Sequence, residues 1–148
     1  MQIFSKTTEK NGYTIIVGCG RLGATLANAL SNQDGAVLII DKEQEAFLKL
    51  DNSYGGQTLL GDGMALESLT AAGIKQATTV LAVTDNDNVN ILVAQLAKEM
   101  FKVKKVIARL YDPERQCIYK DMGIATVCPA QLSAAAITAL LAARKEDE

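Results

Sequence analysis

The sequence predicts an α/β fold built on a doubly wound parallel sheet. Three observations carry that expectation. Short apolar runs rich in Val, Ile and Leu alternate with helical patterns along the whole chain, as right-handed βαβ units require. The runs are near-continuous rather than alternating, which suits strands covered on both faces. A glycine-rich bend, Gly18-Cys19-Gly20-Arg21-Leu22-Gly23, follows the first run and opens a small-residue helix. That setting gives a GxGxxG its meaning.

The elements follow in order. A polar segment, residues 1–12, precedes the first strand, YTIIV (13–17). After the bend, Leu22, Leu26, Ala29 and Leu30 fall on one helical stripe. The next strands are AVLIID (36–41), QTLL (57–60) and TVLAV (79–83). Val89, Leu92, Val93, Leu96 and Met100 then mark one face of a long helix. KVIARL (105–110) and ATVC (125–128) complete six strands. Between them Asp112-Pro113-Glu114 reads as N-cap, N1 proline and acidic first turn. Six strands fit one complete three-layer Rossmann-type domain with strand order 3-2-1-4-5-6.

The closing stretch is different. From Ala130 to Ala143, 11 of 14 residues are Ala, Leu or Ile. A surface helix is apolar on one stripe only; one apolar all round expects burial on more than one side. Ile137 and Leu141 do not share the Leu132/Ala136/Leu140 stripe. Association with a second chain is therefore expected through residues 130–143. The plainer alternative is an alanine-rich helix whose outer face meets water. A charged tail, residues 144–148, ends the sequence.

Composition excludes several classes. The chain has 148 residues, with 15 Lys plus Arg against 17 Asp plus Glu. That balance offers no electrostatic reason for nucleic acid or an anionic membrane as partner. No run reaches the roughly 18 apolar residues that span a bilayer, and MQIFSKTTEKNG lacks the apolar region of a signal peptide. A cytoplasmic protein is expected. Three cysteines without CxxC spacing make neither a disulfide framework nor a zinc site. Histidine is absent, which removes the commonest general base and metal ligand.

The bend has an assignable chemistry. Gly18 permits a tight turn, Gly20 lets backbone approach a pyrophosphate, and Gly23 allows close helix–strand contact. The helix start offers free N–H groups and partial positive charge to phosphate. Asp41 ends the second strand, where a carboxylate accepts hydrogen bonds from ribose hydroxyls. Lys42 follows it, but the acid repels a 2′-phosphate, so NADP is disfavoured. The competing reading is a turn that merely packs tightly, with Asp41 capping the next helix. Arg21 is unfavourable beside a helix N-terminus by the dipole argument, which suits a residue facing phosphate as well as a solvated one. In GDGMALESL, Asp62 either meets an adenine amino group or caps a helix. In VTDNDN, Asp85 or Asn86 caps the long helix, or the loop forms a ligand wall. Cys19, at a helix start, has a lowered-pKa nucleophile and a small packing residue as its two readings. No Ser-His-Asp set, HExxH, P-loop or Tyr-x-x-x-Lys is present. The pattern is that of a binder rather than a catalyst.

Five stretches together resemble one family. IIVGCGRLGATLANAL, VLIIDKEQEAF, LLGDGMALESLTAAGI, TTVLAVTDNDNVNILVAQLAKEM and KVIARLYDPE are similar to the RCK N-terminal domain, also called KTN or TrkA-N. The resemblance runs over residues 13–143. It implies a cytosolic regulatory subunit that binds NAD(H), ATP, ADP or AMP. It also implies dimers within gating rings beneath a membrane-embedded potassium channel or transporter. Carried over by position, Gly18, Gly20 and Gly23 meet the phosphates, Arg21 a terminal phosphate, Asp41 the ribose, and Asp62 with Gly63 the adenine. Arg109 meets the ligand or the neighbouring subunit. The implied cofactor-binding set is completed by Cys19, Leu22, Lys42 and Thr84, with no catalytic or metal-binding residue. The final helix matches the family's crossover helix, which swaps between protomers. Most members continue into a second lobe; this sequence closes at ARKEDE. The rival reading is an NAD-dependent oxidoreductase or its detached cofactor-binding domain.

Overall fold

The computed structural model describes residues 12–33 and 35–146. Most of the expected polar segment 1–12, and the last two residues of the charged tail, lie outside the described residues. Six parallel strands form one sheet in the order β3-β2-β1-β4-β5-β6. They are β1 Tyr13–Val17, β2 Ala36–Asp41, β3 Gln57–Leu60, β4 Thr79–Ala82, β5 Lys105–Arg109 and β6 Ala125–Val127. The helices are α1 Arg21–Ser31, α2 Leu66–Ala71, α3 Asp87–Gln95, α4 Gln116–Lys120 and α5 Pro129–Glu146. Short 3₁₀ turns cover Gln44–Lys49, Ile74–Gln76 and Pro113–Arg115, and α3 ends in a π-helical turn, Leu96–Met100.

Period-2 alternation divides the core. Ile15, Val17, Leu38, Ile40, Val80, Ala82, Val106 and Ala108 point to one face, against α2 and α3 residues such as Leu69, Val93 and Ala94. Ile16, Val37, Ile39 and Leu81 point to the other, against Ala24 and Ala27 of α1. Registered neighbours share a face, as in Ile15↔Leu38 and Ile15↔Val80. Strands apolar on both sides must lie inside a three-layer sandwich. The rule fails at the edges, where Gln57, Thr58 and Leu60 of β3, and Ala125 and Val127 of β6, are exposed.

Both helix stripes need correction. On α1 the buried positions are Gly23, Ala24 and Ala27. Leu22, Leu26 and Leu30 flank them half-buried, and Ala29 faces solvent. Close packing on β1 admits only small side chains at the centre of this contact. On α3 the buried face is Asn90, Ile91, Val93 and Ala94, continued by Ala97, while Leu92 and Met100 are exposed. The expected stripe was therefore rotated toward large residues that the sheet does not cover.

The last helix is the least covered element among the described residues. Every residue from Ala130 to Ala143 is exposed. Leu132, Ile137, Leu140 and Leu141 are 62, 57, 71 and 60% exposed. The helix is tied to the domain at its start, through Leu132 N–H to the Cys128 carbonyl. No described residue of the same chain covers its apolar surface.

Candidate functional site

A cleft of about 600 Å³ opens at the carboxyl ends of β1, β2, β4 and β5. Ligands of doubly wound folds sit there, at the switch point where successive connections leave in opposite directions. Its wall includes Gly18, Cys19, Gly20, Asp41, Lys42, Asp62, Gly63, Thr84 and Arg109. Nine of the twelve sequence-derived candidates therefore meet in one place. Arg21, Leu22 and Gly23 are outside that wall: Arg21 is exposed, Leu22 packs half-buried against the α1 core, and Gly23 is buried under the turn.

The turn is built by steric exclusion. Gly18 has φ +108°, and a Cβ there meets the Thr84 backbone at 2.9 Å. A Cβ on Gly23 meets the Gly18 carbonyl oxygen at 1.8 Å. Both positions exclude any side chain. Gly20 is the contrast, for a Cβ there meets nothing within 4 Å. Its openness faces the cleft rather than the core. No side chain caps α1, and its ladder begins with Ala24 N–H donating to the Gly20 carbonyl. The first-turn N–H groups are thus free to meet an anion. Gly63 is held by packing, since a Cβ there meets Val17 Cγ1 at 2.3 Å.

Asp41 joins the turn to the second strand. Its Oδ2 accepts from Cys19 N–H at 2.8 Å and its Oδ1 from Glu43 N–H at 2.8 Å. An ionised carboxylate has about four acceptor positions, so two remain for hydroxyl donors in the cleft. Asp41 does not cap the next helix, which the competing reading expected: the 3₁₀ turn Gln44–Lys49 has Glu43 at its N-cap and no side-chain cap, and Asp41 instead braces the loop ahead of it. Asp62 caps no helix: its Oδ1 accepts from Met64 N–H within a tight turn, and α2 begins after Ala65. Cys19 is buried and its thiol donates to the Ala46 carbonyl at 3.4 Å. Burial first, and the Asp41 charge second, push its pKa up against the weaker pull of Lys49. Its burial and its contact with the Ala46 carbonyl are those of a packing residue.

The first turn of α3 ties the far wall together; the sequence offers Asn86 as its cap, which the structure bears out, but does not disclose the ties made by Asp87 and Asn90. Asn86 is the N-cap, its Oδ1 accepting from Asn88 and Val89 N–H. Asn90 is fully buried. Its Oδ1 accepts from Thr84 N–H at 2.8 Å and from the Thr84 hydroxyl, while its Nδ2 donates to the Thr84 and Arg109 carbonyls. Asp87 accepts from Tyr111 and Asp112 N–H. One helical turn therefore locks the loops after β4 and β5. An asparagine amid the apolar residues of a helix, where its propensity is poor, was the one available signal.

A parallel sheet of this order, with a glycine turn facing an acid at the end of the next strand, defines a Rossmann-type domain. The chain belongs to the TrkA-N domain family, whose model matches residues 14–129. It is 42% identical over 122 residues to the Trk system potassium uptake protein TrkA of Streptomyces coelicolor, covering 82% of this chain and 55% of that protein. The chain thus spans about half the length of that relative. The fold matches the GsuK RCK domain with TM-score 0.78 and 22% identity, covering 90% of this chain and 29% of that one. It also matches the AMP-bound Kef C-terminal domain of Shewanella denitrificans with TM-score 0.72 and 24% identity, over 92% and 89% of the two chains. Among the described residues no helix is long and apolar enough to cross a membrane.

Proposed function

We propose that this chain is a nucleotide-binding regulatory domain that acts on a membrane-embedded potassium channel or transporter from the cytoplasmic side, without catalysing a reaction. The ligand is NAD(H) or an adenine nucleotide. The carrying observation is that Gly20, the one turn glycine with open space at its Cβ, looks into the same cleft as Asp41 and Asp62. In this reading the Gly18–Gly23 backbone holds phosphate, Asp41 accepts from the ribose, and Asp62 with Gly63 borders the base. Lys42 stands at the ribose rim and Thr84 forms the opposite wall. Arg21, exposed on the first turn of α1, is assigned the terminal phosphate of a triphosphate, and Leu22 seats that turn on the core. The family membership supports the reading, as does the AMP-bound relative of the same fold.

A thermal-shift panel with ATP, ADP, AMP, NAD and NADH tests it. A ligand at a hundredfold excess over its dissociation constant stabilises the fold by about 2.7 kcal/mol. A flat panel contradicts the reading.

The regulator works as a homodimer, or a larger ring, through residues 130–143. Two apolar surfaces support this. Residues 130–143 of α5 are uncovered by the described residues, and Ala125 and Val127 on β6 are exposed beside half-buried Ile107. Exchange of α5 between two copies covers both surfaces at once. Coupling then follows if bound and free clefts favour different dimer geometries. Light scattering after size exclusion is expected to give twice the 15.8 kDa chain mass. Leu140→Asp is expected to give the single-chain mass with an intact far-UV spectrum. A wild-type monomer at micromolar concentration refutes the exchange.

A further inference from the structure

Arg109 is the one buried side-chain donor without an acceptor among the described residues. Its Nε is buried and has no partner. The guanidinium is held elsewhere: one Nη2 hydrogen bond, 2.8 Å, goes to the Tyr111 hydroxyl, and the Arg109 Cζ lies 4.8 Å from the Tyr111 ring centroid. Below it the Arg109 carbonyl is fixed by Asn90, and Tyr111 N–H is fixed by Asp87. The backbone at this point is rigid, so only the side chain can move. Leaving a buried guanidinium N–H unsatisfied is unfavourable. The observed pose is one that any well-placed acceptor in the cleft competes against.

The position of Arg109 says which acceptor. It closes β5, two strands beyond β1 in the sheet. At about 4.8 Å per strand its backbone lies roughly 10 Å from the glycine turn, on the side away from Asp41. A mononucleotide with its ribose at Asp41 and its phosphate at the turn stops short of it. A second phosphate extends toward it, and a guanidinium fork matches phosphate oxygens. We propose that Arg109 is the residue by which the cleft distinguishes nucleotides with a second phosphate from monophosphates, swinging from Tyr111 to that phosphate on binding. This rests on the nucleotide-binding reading above. The second phosphate is shared by two sources, the terminal phosphate of ADP and the bridging phosphate of a dinucleotide.

Calorimetric titration of the full chain with AMP, ADP and NAD tests it, on wild type, Arg109→Gln, Arg109→Lys and Tyr111→Phe. Thermal melts confirm that each variant folds. Arg109→Gln is expected to weaken ADP or NAD at least fivefold more than AMP, and which of the two suffers identifies the source. Arg109→Lys, retaining charge without the fork, falls between. Tyr111→Phe keeps the ring but frees the guanidinium, and is expected to tighten the second-phosphate ligand two- to fivefold relative to AMP. Equal losses for AMP, ADP and NAD in Arg109→Gln, or a weaker second-phosphate ligand in Tyr111→Phe, overturn the proposal. Wild-type chain that binds none of the three refutes the nucleotide reading itself, a different outcome.

Discussion

Gly23→Ala is expected to lower the melting temperature by about 10 °C or to prevent folding outright. The added Cβ sits 1.8 Å from the Gly18 carbonyl oxygen, a backbone atom. Gly18 cannot retreat, because its N–H donates to the Ile40 carbonyl and its Cα faces the Thr84 backbone. Helix α1 must therefore lift off β1, losing the Ala24 and Ala27 contacts that seat it. Such a change belongs with the largest single-residue effects, about 3 kcal/mol or more, and a chain of this size loses roughly 3 °C per kcal/mol. Gly20→Ala is the matched control. It adds the same methyl group where nothing lies within 4 Å, at φ −82° and ψ −164°. Its melting temperature is expected to stay within about 2 °C of wild type, since Ala in a compatible conformation is neutral to mildly stabilising. Its nucleotide affinity is expected to fall at least tenfold, because the methyl occupies the approach to the turn. A Gly23→Ala protein that melts like wild type contradicts the packing account of the bend.

Asp41→Ala is expected to weaken every ribonucleotide together, by about 10- to 100-fold. A hydrogen bond to a charged group contributes about 1.5–3 kcal/mol, and each 1.4 kcal/mol is tenfold in affinity. The substitution also frees the Cys19 and Glu43 N–H groups that the carboxylate now holds, so the turn is less organised before ligand arrives. Asp41→Asn separates the two contributions. The amide offers one oxygen, so its NH₂ faces either Cys19 N–H or Glu43 N–H, donor against donor. It is expected to lose affinity as Ala does and to be the less stable variant. Calorimetry with AMP and NAD reads both effects. Affinities unchanged in Asp41→Ala show that the residue clamps the loop and does nothing for ligand.

Much of this architecture was legible because the dominant signals are local. The four inner strands are apolar on both faces, so their runs stand out, and their ends fell within one residue of expectation. The glycine bend was legible because backbone exclusion, not tertiary context, sets its residue types. Helix faces were harder. Leu92 and Met100 weigh heavily in any apolar pattern yet are exposed, while Ala94 and Ala97 weigh little and are buried. The short elements Gln44–Lys49 and Leu66–Ala71 span too few turns to show a period. The far wall was hidden for a different reason. Asp87 meets Tyr111 and Asn90 meets Arg109 across 24 and 19 residues of chain, and no sequence pattern links such partners before the sheet brings them together. The last helix is legible as apolar all round because its Ala, Leu and Ile residues leave no polar stripe, and the described residues of the chain leave that surface uncovered. Its exposure strengthens the case for a second copy.

The account turns on a nucleotide lying between the glycine bend and the Asp41 carboxylate. Backbone amide NMR during titration with ADP and with NAD tests this most directly. Saturable shifts are predicted at Gly18, Cys19 and Gly20 and at the first-turn amides Arg21, Leu22 and Gly23. Matching shifts are predicted at Glu43 and Thr84 on the two flanking loops, with β3 and α4 unmoved. No saturable shift with either ligand, or shifts confined to surfaces away from this cleft, would contradict it.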